Sequence, residues 1–334
     1  MRFGIGLAVQ HRPDDSQVAR FREHVEQVRL AREVGFDSIW ASQHILSAPF
    51  TYFQPIPVLA RLAAEAGEMT LGTGVLLLPL FQPVDLAEQL ATLDVITGGR
   101  LVVGVGLGYR DAENVAVGVD PRTRVGRLEE GIALLERLWT GEPVSYQGRH
   151  FTLENVRISM PTIQRPRPPI WLAANTDAGV KRAARLADAW LVNPHATVSA
   201  LEKQLALYRE VRRELGRPPA AETPVLAECF VAEDAATAWR EAAPFIAAKY
   251  DAYRSWEQDK ALPAGDAWST EIRELARDRF IVGDPVLARE EIARRRDRLG
   301  ATQVIFRLQW PGLDAAKVLR SIRLLGEQVL PHFR

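Results

Sequence analysis

A histidine at the end of an apolar run and an arginine inside another are the residues of this sequence best placed to do chemistry. Residues 38–46 read SIWASQHIL. The β-prone stretch Ser38-Ile39-Trp40 stops at the polar pair Gln43-His44. An imidazole titrates near neutrality, so it suits proton transfer or hydrogen bonding to a substrate. The plain alternative is a satisfied histidine at a strand junction. A place at the strand end favours chemistry: Gln43 could orient the ring, and ILSAPF, ending at Phe50, could wall an apolar pocket. Residues 303–310 read QVIFRLQW. Arg307 there is costly to bury unpaired, so it is expected to meet a carboxylate or face an open mouth. Trp310 is either a pocket wall or an ordinary core aromatic.

Two further stretches could hold a ligand. In PIWLAANTDAGVKRAARLADAW, Ala174-Asn175-Thr176-Asp177 lies between a strand pattern and a helix pattern. Small and capping residues there leave free N–H groups at the positive end of a helix, a good phosphate site; an ordinary N-cap is the plain alternative. The runs LGTGVLLLPLFQP and LVVGVGLGYR carry Gly72, Gly74, Gly104, Gly106 and Gly108 within strands. Strand glycines mark a bulge, tight packing, or a backbone that a ligand approaches closely. The spacing of the second run does not match a dinucleotide fingerprint, which also belongs after a first strand. A flat ring lying against strand ends accounts for these glycines better than a nicotinamide site.

The elements that must position these residues alternate along the chain. Strand patterns fall at 3–9, 37–41, 70–77, 101–106, 169–173, 188–192, 224–231 and 303–308. Helical patterns lie between them, as in the Val18, Phe21, Val25, Val28, Ala31 stripe and at 85–97, 123–139, 177–187, 198–215, 286–298 and 314–329. Such alternation implies parallel pairing through right-handed crossovers, and eight strands imply a closed (β/α)8 TIM barrel. In a barrel, residues at the carboxyl ends of strands line the active face. The chain reads as one domain over 1–334 with insertions near 141–168 and 250–284.

The totals narrow the function. Of 334 residues, 47% are apolar and 25% charged, with Lys+Arg and Asp+Glu equal at 42 each. A zero balance gives no footprint for nucleic acid. One cysteine, Cys229, excludes a disulfide framework and a multi-thiolate metal site. MRFGIGLAVQ reads as an opening strand rather than a signal peptide, and no apolar run approaches the roughly 20 residues of a membrane span. The expectation is a cytoplasmic enzyme with a small-molecule substrate and no metal.

Together AREVGFDSIWASQH, LGTGVLLLPLFQPVDLAEQLATLDVITGGRLVVGVGLGYR, GRLEEGIALLERLW, PPIWLAANTDAGVKRAARLADAWLVNP and RFIVGDP resemble the luciferase-like flavin-dependent monooxygenases over almost the whole chain. That resemblance implies a barrel that is usually dimeric. It implies reduced FMN from a separate reductase, used with O2 to oxygenate a small organic molecule, or else the deazaflavin F420 in hydride transfer. It implies a non-proline cis peptide under the flavin, here Gly74–Val75, with Gly106 and Tyr109 beside it. His44 matches the family's active-site histidine, and Ala174, Asn175 and Thr176 match its phosphate turn. Gln43 stands where luciferases have an acid. Leu107 stands where they have an arginine, so the phosphate would need backbone groups or another arginine. Gln43, Phe50, Arg307 and Trp310 are expected in the substrate pocket, with 250–280 closing over it. A non-catalytic flavin-binding protein is the alternative from another class.

Overall fold

The computed structural model describes residues 1–334. Eight parallel strands form the barrel: β1 Arg2–Leu7, β2 Ser38–Ala41, β3 Thr70–Thr73, β4 Leu101–Gly106, β5 Ile170–Ala174, β6 Ala189–Val192, β7 Pro224–Val231 and β8 Gln303–Arg307. Each pairs with the next, and β8 pairs with β1, so the sheet closes on itself and leaves no barrel edge. Near-continuous burial along β2, β4, β6 and β7 is what strands covered by helices outside and side chains inside require.

Helix starts are fixed locally. Ser16, Thr176, Thr197, Asp234, Asp284 and Asp314 each accept a first-turn amide proton at an N-cap. Asp284 of the GDP motif caps Pro285–Leu299, and Gly300 ends that helix in the left-handed region at φ 67°.

The barrel floor is a packed aromatic layer. Trp40 and Trp171 stack with centroids 5.0 Å apart and planes 18° from parallel, against Val102, Leu191, Leu226 and Ile305. This layer explains two of the strand glycines. A Cβ on Gly72 would lie 2.2 Å from the Trp40 ring, and one on Gly104 would lie 2.0 Å from the Thr73 carbonyl oxygen. Gly72 and Gly104 therefore serve close packing, not a ligand.

Several elements differ from the sequence expectation. The 70–77 run is broken: β3 stops at Thr73, a cis peptide joins Gly74 to Val75, and Leu76–Leu77 pairs again with β4. Helices Pro55–Ala66 and Ala235–Ser255 form where no helix is expected from the sequence. Prolines mask both: Pro55 and Pro57 sit in the first turn of one, and Pro244 lies inside the other. The 250–284 insertion accordingly begins within a helix, and its end, Ile281–Gly283, pairs with β7. The 141–168 segment forms the expected hairpin, Val144–Gln147 against Thr152–Val156. No helix is long and apolar enough to cross a membrane.

Candidate active site

A cavity opens at the carboxyl ends of the strands, about 1010 Å³ when counted out through its open mouth. That is the scale of a small-molecule site. Ten of the residues singled out in the sequence line it: Gln43 and His44 after β2, Gly74 and Val75 after β3, Gly106 and Tyr109 at the end of β4, Ala174, Asn175 and Thr176 after β5, and Arg307 ending β8. Phe50 and Trp310 do not. Phe50 packs at the rim against Trp256, with centroids 6.2 Å apart. Trp310 is buried behind the wall, where its indole N–H donates to Glu228 Oε2 at 2.8 Å.

The orienter of His44 is not Gln43. His44 Nδ1 lies 2.9 Å from Glu113 Oε1. Glu113 belongs to the short helix Asp111–Ala116 and is almost fully buried. The same oxygen accepts the Ile45 backbone N–H at 3.1 Å and Arg110 Nη1 at 3.4 Å. Arg110 also holds the Ile45 and Leu46 carbonyls, and its guanidinium lies 4.4 Å from the Trp256 ring centroid. The chain around His44 is thus pinned to the helix after β4. Tyr52, Tyr109 and Trp256 enclose the imidazole, with centroids 5.5, 5.7 and 5.8 Å away. A His–carboxylate pair of this kind fixes the ring and its tautomer. Gln43 braces the break in β3 instead. Its Oε1 accepts from Leu77 N at 2.8 Å, and its backbone N donates to the Val75 carbonyl at 3.0 Å. Glu113 escapes a sequence reading because its partner lies 69 residues away; the only local signal is a carboxylate three residues after Arg110.

On the facing side, Thr176 caps helix Asp177–Leu186, its Oγ1 accepting from Gly179 N. Asn193 Nδ2 donates to Asn175 Oδ1 at 2.7 Å, and Gln204 Nε2 donates to the Asn175 carbonyl at 2.8 Å, so the turn is braced from two helices' worth of chain away. Arg182, one turn into the helix, also lines the cavity, its Nε held by Glu129 at 2.8 Å. The sequence expectation, with Leu107 in the family's arginine position, was of backbone groups or another arginine, and Arg182 was not anticipated by number.

These features fit a flavin phosphate ester. The seat at Gly74 and Gly106 carries no side chain, and a Cβ on Gly106 would come within 2.8 Å of Val75 Cγ2. The capped helix start with Arg182 offers donors to a dianion. The insertion contributes Tyr253, Gln258 and Ala261 to the lining.

Below the mouth on the β7–β8 side lies a buried charged group. Lys249 Nζ donates to Glu228 Oε1 at 2.6 Å, and Arg307 Nη1 stands 3.7 Å from the same oxygen. Burial pushes the Lys249 ammonium down to about 8 against the pull of Glu228. Burial pushes the Glu228 carboxyl upward, but Lys249 and Arg307 outweigh it and hold it below its ordinary value. Burial, then Arg307 and Lys249, hold His195 well below the ordinary imidazole range, so it is neutral.

A family model described as luciferase-like monooxygenase matches residues 1–303. An F420-dependent glucose-6-phosphate dehydrogenase of Microbacterium testaceum is 29% identical over 329 residues, 91% of this chain and 91% of that one. The crystal structure of the monooxygenase RslO1 from Streptomyces bottropensis superposes with a TM-score of 0.85 at 27% identity, covering 100% of both chains. The oxygenating constituent of 3,6-diketocamphane monooxygenase from Pseudomonas putida, in complex with FMN, superposes with a TM-score of 0.79 at 19% identity, covering 99% of this chain and 98% of that one. That last likeness speaks to the fold.

Proposed function

Because the chain belongs to the luciferase-like monooxygenase family, whose members similar to it include both a monooxygenase and an F420-dependent dehydrogenase, we propose that it is a flavin-dependent monooxygenase acting on a small organic substrate. The observation that carries this reading is His44, held at Nδ1 by buried Glu113 and set in the same cavity as a bare glycine seat and a capped helix start. Gly74, Val75, Gly106 and Tyr109 would hold the ring of FMN. Ala174, Asn175, Thr176 and Arg182 would hold its phosphate. When bound, reduced FMN supplies two electrons, with which one atom of O2 enters the substrate and the other leaves as water. His44 Nε2, which has no protein partner, would give or take a proton at the reacting edge, while Glu113 compensates the charge on the ring. Tyr52, Tyr109 and Trp256 would keep bulk water from that edge. A separate reductase, a homodimeric assembly and a cytoplasmic setting belong to the same proposal.

One observation favours a second reading. The 29% identity to an F420-dependent dehydrogenase runs over 91% of both chains. The carboxylate that SQHIL lacks reaches His44 from Glu113, so the same pair suits hydride transfer with His44 as general acid or base. The two readings separate in one experiment. Reduced FMN or reduced F420 is mixed with protein under controlled oxygen, and oxygen uptake and coenzyme oxidation are followed in the native chain and in His44→Ala. The monooxygenase reading expects oxygen-dependent oxidation of reduced FMN that changes at least tenfold in His44→Ala. Oxidation of reduced F420 without oxygen uptake, matched by reduction of an added small carbonyl compound that accepts the hydride, transfers the assignment to the second reading. Tight FMN binding with no effect of His44 on any turnover marks a flavin carrier.

A further inference from the structure

Arg307 has more donors than the protein uses. It ends β8, and its backbone is in register with Gly6 of β1 and Glu228 of β7. A Cβ on Gly6 would meet Arg307 Cγ at 3.3 Å, so the stem is pressed against the strand and the guanidinium is directed by that packing. The side chain is only 19% exposed, and that exposure is to the cavity it lines. A guanidinium carries five N–H donors. None of those of Arg307 makes a hydrogen bond to a protein group; its one charged neighbour is Glu228 Oε1 at 3.7 Å. That oxygen is already committed to Lys249 at 2.6 Å, and the other carboxylate oxygen to Trp310 at 2.8 Å.

The charges around it do not cancel. Glu228 is the single carboxylate, and Lys249 and Arg307 are two cations. Tyr250 and Tyr253 are kept protonated by burial, and His195 is kept neutral, so none of them supplies a compensating charge. A guanidinium without hydrogen-bond partners and one excess positive charge in a desolvated wall are costly unless an anion completes them. The flavin phosphate is not well placed to do so. Its cradle lies after β5, and β6 and β7 stand between it and β8 on the short way round the barrel.

We propose that Arg307 anchors an oxyanion of the substrate, so that this enzyme acts on an organic acid, with a carboxylate or a like oxyanion received by the guanidinium and the rest of the molecule extending toward His44. This rests on the reading of the cavity as the coenzyme and substrate chamber. Arg307 is then a binding residue that sets specificity, and Glu228, itself fixed by Lys249 and Trp310, attracts it from behind. Its planar fork matches a carboxylate with two parallel hydrogen bonds.

The test uses the whole chain, with and without bound FMN, and matched pairs of probes: sodium acetate, benzoate and 1-naphthoate against acetamide, benzamide and 1-naphthamide. Thermal stabilisation and calorimetric titration are read in the native protein, Arg307→Met and Arg307→Lys, with circular dichroism confirming the fold of each. The expected result is that at least one acid binds tenfold or more tightly than its amide. That preference is lost in Arg307→Met and partly kept in Arg307→Lys, with FMN affinity changed less than threefold. No acid preferred over its amide in the native protein, or the same preference in Arg307→Met, overturns the proposal. A tenfold loss of FMN affinity in Arg307→Met also overturns it, by making Arg307 a coenzyme contact. If FMN fails to bind the native chain while the acid preference and its loss in Arg307→Met persist, the coenzyme reading falls and the oxyanion site stands. If Arg307→Met does not fold, Arg307→Lys carries the test: a preference left at its native strength there, with lysine's single charge in place of the fork, counts against bidentate anchoring.

Discussion

The floor and the mouth of the barrel are built on the same strands and solve opposite problems. At the floor, Trp40 and Trp171 fill the interior, and Gly72 and Gly104 are glycines because a methyl group would strike an indole or a carbonyl. At the mouth, Gly74 and Gly106 line the cavity: a Cβ on Gly74 would meet only Trp40, at 3.6 Å, whereas one on Gly106 would meet the Val75 side chain at 2.8 Å. Gln43 and His44 beside them are polar and held in place by partners from distant elements. Glycine in a strand therefore says that something approaches closely, and only the layer it occupies says whether that is a core side chain or a ligand. The floor is stabilised by burial of apolar area; the mouth spends part of that stability on buried charge.

The largest expected effect breaks this contrast at one step along the chain. Gly104→Ala places a methyl 2.0 Å from the Thr73 carbonyl oxygen, which is backbone and cannot turn away. It should cost about 3 kcal/mol or prevent folding. Gly74→Ala meets nothing closer than Trp40 at 3.6 Å and should cost less than about 1 kcal/mol. Chemical denaturation of both variants checks the difference, and equal losses would erase the distinction between the two layers.

A smaller effect comes from acid. His11 belongs to the short antiparallel ladder that pairs Gln10–His11 with Thr51–Tyr52, and its Nε2 lies 3.1 Å from that of His24. Burial foremost lowers His11 to about 4 and His24 to about 3. Both are neutral in the folded chain, and the unfolded chain binds more protons below about 6.5. Their contribution is complete above about pH 6.5 and is lost as the pH falls toward 4 and then 3. Denaturation profiles between pH 7 and 4 should show His24→Phe losing about 2 kcal/mol less than the native chain over that window. An identical slope would mean that the pair does not govern the acid side.

The smallest effect on stability should be the most selective on function. Glu113→Gln keeps an acceptor near His44 and removes its charge. It should lower turnover at least about tenfold while leaving the denaturation midpoint and FMN affinity nearly unchanged. Equal loss of affinity and turnover would make Glu113 a structural support of the rim rather than a partner in proton transfer.

Most of the barrel was legible because short apolar runs and helical stretches of period 3.6 are local properties. So were the strand ends at His44, Thr176 and Arg307, since a polar residue closing an apolar run is visible in one dimension. Helices Pro55–Ala66 and Ala235–Ser255 were hidden by prolines that read as breaks, one tolerated in a first turn and one absorbed inside a long helix. The partners of the site were hidden for another reason. Glu113 reaches His44 across 69 residues, and Lys249 reaches Glu228 across 21 residues from a helix that was itself unseen. Phe50 and Trp310 were placed in the pocket because they closely follow strand ends, which does not say which side of a wall a ring occupies.

The claim beneath all of this is that the mouth cavity seats a flavin ring over Gly74 and Gly106 with its phosphate at the start of helix Asp177–Leu186. Fluorescence titration of the native chain and of Gly106→Leu with FMN and anaerobically reduced FMN tests it most directly, once both are shown to be folded. The account expects saturable binding by the native chain, weakened at least tenfold when leucine fills the seat. Equal binding by the two proteins, or none by the native chain to either form of FMN, would contradict it.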